Sequence, residues 1–177
     1  MKKVAIPSMV ADIVINGISN MDGSVFDLTE VCPHCGGKLK GHDTKRKKFA
    51  TIIEKNQFKN IILNIKRGRC MKCKKLIYAD SPFYENVRIG SPIVDFCIIN
   101  LKIHPANHIS KILKNMNILV SPSTIRNFKK LNSIDIPYIE FHGVLFPLSL
   151  LNISENLRNE ENSGINSLII QMMHRNR

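Results

Sequence analysis

Four cysteines fall in two Cys-x-x-Cys pairs, Cys32-Pro33-His34-Cys35 and Cys70-Met71-Lys72-Cys73. Two thiolates three residues apart can turn toward one ion, and two such pairs complete a tetrahedral shell. A shell of four protein sulfurs leaves no open position, so the chemistry implied is structural, with one Zn²⁺ as the expected ion. Gly36 and Gly37 follow the first pair directly and allow a positive-φ turn that wraps backbone amides around sulfur. Two disulfides would use the same residues. They are disfavoured because no secretory signal is evident and a reducing compartment keeps thiols free. A rubredoxin-like iron site would also use the same ligands, but the strongly basic surroundings suit a polyanion better than a small redox partner. Cys97 lies in the apolar run Asp95-Phe96-Cys97-Ile98-Ile99 and reads as a small core residue. His34 could replace a cysteine as ligand, but inside a Cys-x-x-Cys pair it more often points away; the other histidines show no ligand spacing.

The second chemical signal is charge. The 177 residues carry a net charge of +12. Residues 36–75 hold 14 Lys/Arg against 2 Asp/Glu, and residues 91–132 hold 6 against 1. The other stretches are mildly acidic. Cations confined in this way read as a phosphate-binding surface, because Lys and Arg on phosphates release condensed counterions. The candidate contacts in the first segment are Lys45, Arg46, Lys47, Lys48, Lys66, Arg67 and Arg69. No apolar run is long enough to cross a bilayer.

The elements that position these groups can be read coarsely. Residues 1–30 are weakly patterned: Asn20–Ser24 reads as a turn or linker, the apolar residues before it could make a short helix or strand, and the first 20 or so are expected to be poorly ordered. Residues 31–79 read as a zinc ribbon, with strands at Phe49–Ile53 and Phe58–Ile65, a hairpin connection at Glu54–Gln57 and a closing strand at Leu76–Tyr78. Ile61, Leu63 and Ile65 share one strand face. So small a sheet is expected to need its metal for stability. Residues 80–90 read as a linker. Residues 91–132 change to helical periodicity. Ser91-Pro92 and Ser121-Pro122 read as N-caps with proline at the first helical position. Val120 and Ile125 fit a hydrophobic staple.

The third helix, from about Pro122 to Leu131, places Ile125, Phe128 and Leu131 on one face. Ser123, Arg126, Asn127 and Lys130 lie opposite, with Lys129 at the edge. Arg can grip guanine and Asn can grip adenine in the major groove. A short helix, a tight connection and a capped second helix fit a helix-turn-helix. The expected fold class is therefore α+β, a small β zinc ribbon followed by a helical helix-turn-helix domain.

Cys32-Pro33-His34-Cys35-Gly36-Gly37, the basic hairpin, Arg67-Gly68-Arg69-Cys70-Met71-Lys72-Cys73 and the helices ending in Val120-Ser121-Pro122-Ser123-Thr124-Ile125 together resemble the N-terminal part of prokaryotic insertion-sequence transposases. The resemblance covers about residues 31–132. It implies binding to the terminal repeats of an element, with catalysis by a following RNase H-like domain. Residues 133–177 offer Asp135, Glu140, Glu155, Glu160 and Glu161, with no room for the sheet that would gather three carboxylates. Phe141–Leu148 reads as a strand or buried connector, and Glu155 to Arg177 as a polar tail. The chain thus reads as a truncated transposase that keeps the DNA-binding half and is not an enzyme. Its expected partner is double-stranded DNA, with a homodimer allowed, no membrane and no small-molecule substrate. Its expected place is the cytoplasm, at the nucleoid. An active or trans-complemented transposase or nuclease and a zinc-ribbon transcription or RNA-binding factor are the competing readings.

Overall fold

The structure is a computed structural model that describes residues 6–131 and 135–155. The tail read over Glu155–Arg177, including Glu160, Glu161 and His174, lies outside the described residues, apart from the backbone of Glu155. The chain is a mixed α+β protein.

Its spine is one long hairpin. Strand β2 (Leu39–Glu54) pairs antiparallel with β3 (Gln57–Cys70) through a two-residue turn. Lys55 and Asn56 both take positive φ there, at 48° and 62°. That is the turn whose twist matches a two-stranded ribbon. The pairing starts at Glu54↔Gln57 and ends at Leu39↔Cys70. Register shifts between Gly41 and Asp43 and between Lys48 and Ala50 bend the ribbon. The edge of β3 takes two short strands, β1 (Val25–Phe26, parallel) and β4 (Leu76–Tyr78, antiparallel). On the other edge Ile52 bridges Ile118.

The expected face of Ile61, Leu63 and Ile65 is buried. It does not close on itself. Together with Phe49, Ala50 and Ile52 it joins one continuous core with the helices. At the centre lies α2 (Ser91–Asn100), buried along its entire length. Around it are α3 (Ala106–Asn115), α4 (Pro122–Asn127) with a 3-10 turn over Phe128–Leu131, strands β5 (Tyr138–Phe141) and β6 (Val144–Pro147), and α5 (Leu148–Glu155).

Several expectations are corrected. Residues 1–30 are not weakly structured as a whole. Ser8–Asn20 forms α1, which buries Val14, Gly17 and Ile18 and packs on α5. Residues 80–90 are not a free linker. Phe83 is buried edge-on against Phe49, with ring centroids 6.0 Å apart, and Tyr84 Oη donates to the Asp95 carboxylate. Residues 133–177, read as a remnant or tail, are not a loose tail over 136–153. Ile136, Val144, Leu145, Phe146, Leu150 and Ile153 are core residues. The cap of α2 is Gly90, not Ser91. The Gly90 N–H donates to Phe49 O at 2.9 Å, and a Cβ at Gly90 would meet the Phe49 ring at 2.1 Å. Contact with the hairpin therefore fixes where α2 begins. At the other cap the expectation stands, since Ser121 Oγ accepts from the Thr124 N–H at 3.2 Å.

Candidate metal centre and basic ribbon

The hairpin brings the two cysteine pairs together. Cys70 closes β3, Cys32 lies just before β2, and the Val31–Lys38 bridge and the Leu39↔Cys70 register put the two loops side by side. The loops are built alike. The Gly36 N–H donates to Cys32 O (2.9 Å) while the Cys32 N–H donates to Gly37 O (2.8 Å). The Lys74 N–H donates to Cys70 O (3.0 Å) while the Cys70 N–H donates to Lys75 O (2.9 Å). The residue after each second cysteine is left-handed, Gly36 at φ 65° and Lys74 at φ 63°. The first was legible in the glycine. The second was not, because a lysine carries no such signal.

The four sulfurs all lie within 4.8 Å of one another. Cys35 Sγ and Cys70 Sγ are 3.5 Å apart, and Cys32 Sγ and Cys73 Sγ are 3.8 Å apart. Sulfurs about 2.3 Å from one tetrahedral ion would stand about 3.8 Å from each other. Cys32, Cys35, Cys70 and Cys73 can therefore hold a metal ion. The electrostatics agree. The Cys73 backbone N–H donates to Cys70 Sγ at 3.4 Å and helps to draw that thiol down to about 6. At Cys73 the Lys75 backbone N–H pulls down, but burial and the sulfurs of Cys70, Cys35 and Cys32 push the thiol up to about 11. Four crowded sulfurs cannot all be thiolates without a cation among them. Cys97 stands apart in the core, as expected, and burial pushes its thiol up.

The basic residues divide by strand parity. In register, Lys45 and Lys47 face the same side as Ile65 and Leu63, and Arg46 and Lys48 the same side as Asn64 and Ile62. Lys47 Nζ lies 3.9 Å from the centroid of the Phe83 ring, and burial lowers its pKa. Lys45 Nζ is 5.8 Å from the Tyr78 ring centroid. Arg67 forks onto Asp43 and also donates to Tyr78 Oη at 3.3 Å. That guanidinium holds the Asp43 carboxyl below its usual range. Lys66 is ion-paired with Asp27. Lys66 and Arg67 are thus engaged within the chain, while Arg46, Lys48 and Arg69 are exposed. Asp27 and Asp43 lie far off in sequence, so these pairs were not legible.

On the helical side, Ile125 and Phe128 are buried and Leu131 is half-buried. Ser123, Arg126, Asn127, Lys129 and Lys130 are all exposed. The two polar groups of residues are not drawn into one site by any contact among the described residues. No helix among the described residues is long and apolar enough to cross a membrane. No protein-family model, no curated protein and no solved structure matches this chain.

Proposed function

We propose that this chain is a zinc-stabilised, duplex-DNA-binding module, the role filled by the transposase N-terminal part that it resembles. On this reading one Zn²⁺ takes Cys32, Cys35, Cys70 and Cys73, and its only job is to fix the open end of the ribbon. The α3–α4 pair acts as a helix-turn-helix, with α4 as the reading helix and Arg126 and Asn127 as its base contacts. Ser123, Lys129 and Lys130 take phosphates, together with Arg46, Lys48 and Arg69 of the ribbon. No catalytic role is assigned, and the cytoplasmic nucleoid is the matching location. The observation that supports this most is the exposure of Ser123, Arg126, Asn127, Lys129 and Lys130 on α4 and its 3-10 extension, above two buried anchors, in a chain of net charge +12.

The test is titration of purified protein against duplex DNA over a range of salt. The logarithm of affinity should fall linearly with the logarithm of salt. Lys48→Ala and Arg46→Ala should weaken all sequences about equally, whereas Arg126→Ala and Asn127→Ala should level the differences between sequences. Elemental analysis should find one zinc per chain. Protein that carries its metal yet binds no duplex at low salt would end this reading.

A further inference from the structure

The hairpin has a second face that the core does not use. Along β3 the side chains alternate, with Ile61, Leu63 and Ile65 inward and Phe58, Asn60, Ile62, Asn64 and Lys66 outward. Their register partners on β2 are Ile53, Thr51, Lys48, Arg46 and Thr44. This outward face begins at the hairpin tip with Phe58, which is 78% exposed. It is the most exposed large apolar side chain among the described residues. Next comes a polar pair, with Thr51 Oγ1 donating to Asn60 Oδ1 at 2.8 Å. Beyond it stand Lys48 and Arg46, both exposed, at strand positions roughly 13 and 20 Å from Phe58 by the rise of an extended chain. Lys55 lies at the tip itself.

An exposed aromatic ring is costly to leave in water, and here no core element takes it up. It sits at one end of a cationic, amide-bearing sheet face. That combination is complementary to a nucleic-acid strand whose bases are unpaired. Bases stack on an aromatic ring whatever their identity, and cations along the groove track the phosphates. An intact duplex cannot offer a base to Phe58, because its bases are already stacked on each other. A protein partner would be matched by the ring alone and leaves Lys48 and Arg46 unexplained.

We propose that the outward face of the β2–β3 ribbon binds single-stranded DNA, with Phe58 stacking on a base and Lys48 and Arg46 holding the backbone. This rests on the DNA-binding reading above and extends it. On a blunt duplex Lys48 and Arg46 take backbone phosphates as proposed above; the preferred substrate becomes a duplex that continues into a single-stranded overhang, with α4 on the paired part and Phe58, Lys48 and Arg46 reaching the unpaired strand.

The experiment compares the full chain on a blunt duplex, the same duplex with an oligo-dT overhang, oligo-dT alone and oligo-rU alone, at one salt concentration. The overhang should tighten binding about 5-fold or more, the lower end of one base–aromatic stack. Phe58→Leu keeps the apolar bulk but cannot stack. It should lose that gain, leave blunt-duplex affinity unchanged, and keep the native circular dichroism spectrum. The chain has no Trp. Phe58→Trp therefore supplies a lone indole, whose fluorescence should be quenched by oligo-dT. Equal binding to blunt and overhang DNA, or an overhang gain that survives Phe58→Leu, overturns the inference while leaving the duplex reading intact. Tighter binding to oligo-rU than to oligo-dT reassigns the face to RNA and overturns it too. Quenching by oligo-dT with no affinity for the blunt duplex keeps the inference and removes the duplex reading instead.

Discussion

A Cβ placed on Gly37 would meet Lys72 Cβ at 2.7 Å, Cys70 Sγ at 3.0 Å and Cys35 Sγ at 3.4 Å. Two of those three atoms are candidate metal ligands. The crowding comes from backbone and sulfur positions that the loops already fix, so relief must come from moving a ligand. Gly36 is a different case. Its φ of 65° favours glycine, but nothing lies within 4 Å of a Cβ there. Gly36→Ala should cost about 1 kcal/mol of left-handed strain and leave metal affinity nearly unchanged. Gly37→Ala should lower metal affinity about 10- to 100-fold, the range for disturbing the support of a ligand shell. Competition against a chromophoric chelator measures both. Equal affinity for the two variants would show that the loop can open beside Gly37 at no cost to the site. Affinity should also fall as the pH drops, since protons compete with the metal for each thiolate.

At the scale of elements, one side chain hydrogen-bonds α2 to β6. Asn100 Nδ2 donates to Leu145 O at 2.7 Å and to Phe96 O at 2.8 Å, and Asn100 Oδ1 accepts from the Leu145 N–H at 3.0 Å. Asn100 is fully buried. Its amide pairs with the outer edge of β6 as a neighbouring strand would. Asn100→Leu keeps the branched heavy-atom shape but strands a backbone donor and acceptor in the core. It should destabilise the fold by about 2–4 kcal/mol. Urea unfolding should show a lower midpoint with little change in slope. A loss under about 0.5 kcal/mol, the size of a neutral surface change, would mean that water replaces the amide. This contact also shows what sequence could and could not reveal. The strand face of Ile61, Leu63 and Ile65 was legible because alternation is local, and so was the Ser121 cap. The helix Ser91–Asn100 was legible as a helix but not as a central one. Nothing local to Asp95 or Asn100 marks them as buried, because Tyr84, Ser149 and Leu145 supply their partners from elsewhere in the chain. The helix Ser8–Asn20 was legible only as a short helix or strand, because its anchors, Val14, Gly17 and Ile18, gain their meaning only from α5. The four thiols were legible in full from spacing. Their setting was not, since Lys74 and Gly37 matter through geometry alone.

The whole molecule has two apolar clusters of very different size. The large one runs from the inner half of the hairpin through α2 to α5. The small one contains Cys32, Cys70 and Ile77, with Leu28, Leu39, Cys35 and Cys73 packed against it. The sequence suggested a sheet that depends on its metal throughout. The structure divides that dependence. Phe49, Ile52, Ile61 and Leu63 lie in the large cluster with the helices, and only the outer end of the ribbon rests on the small cluster, whose members are mostly the four cysteines themselves. Removing the metal should therefore unfold one end and spare the rest. After chelation under reducing conditions, the amides of Cys32, Gly36, Cys70 and Lys74 should exchange with solvent quickly, while those of Ile98 and Ile99 in α2 stay protected. The helical circular dichroism signal should be retained. Global exchange and loss of that signal on chelation would mean instead that the two clusters fold as one unit. The division also bears on binding, because α4 and its 3-10 extension are anchored in the large cluster through Ile125 and Phe128. Metal-free protein should keep the sequence preference of α4 and lose mainly the contribution of Arg69 at the freed end. A competition assay with and without chelator measures this, and complete loss of DNA binding without metal would place the decisive contacts on the ribbon.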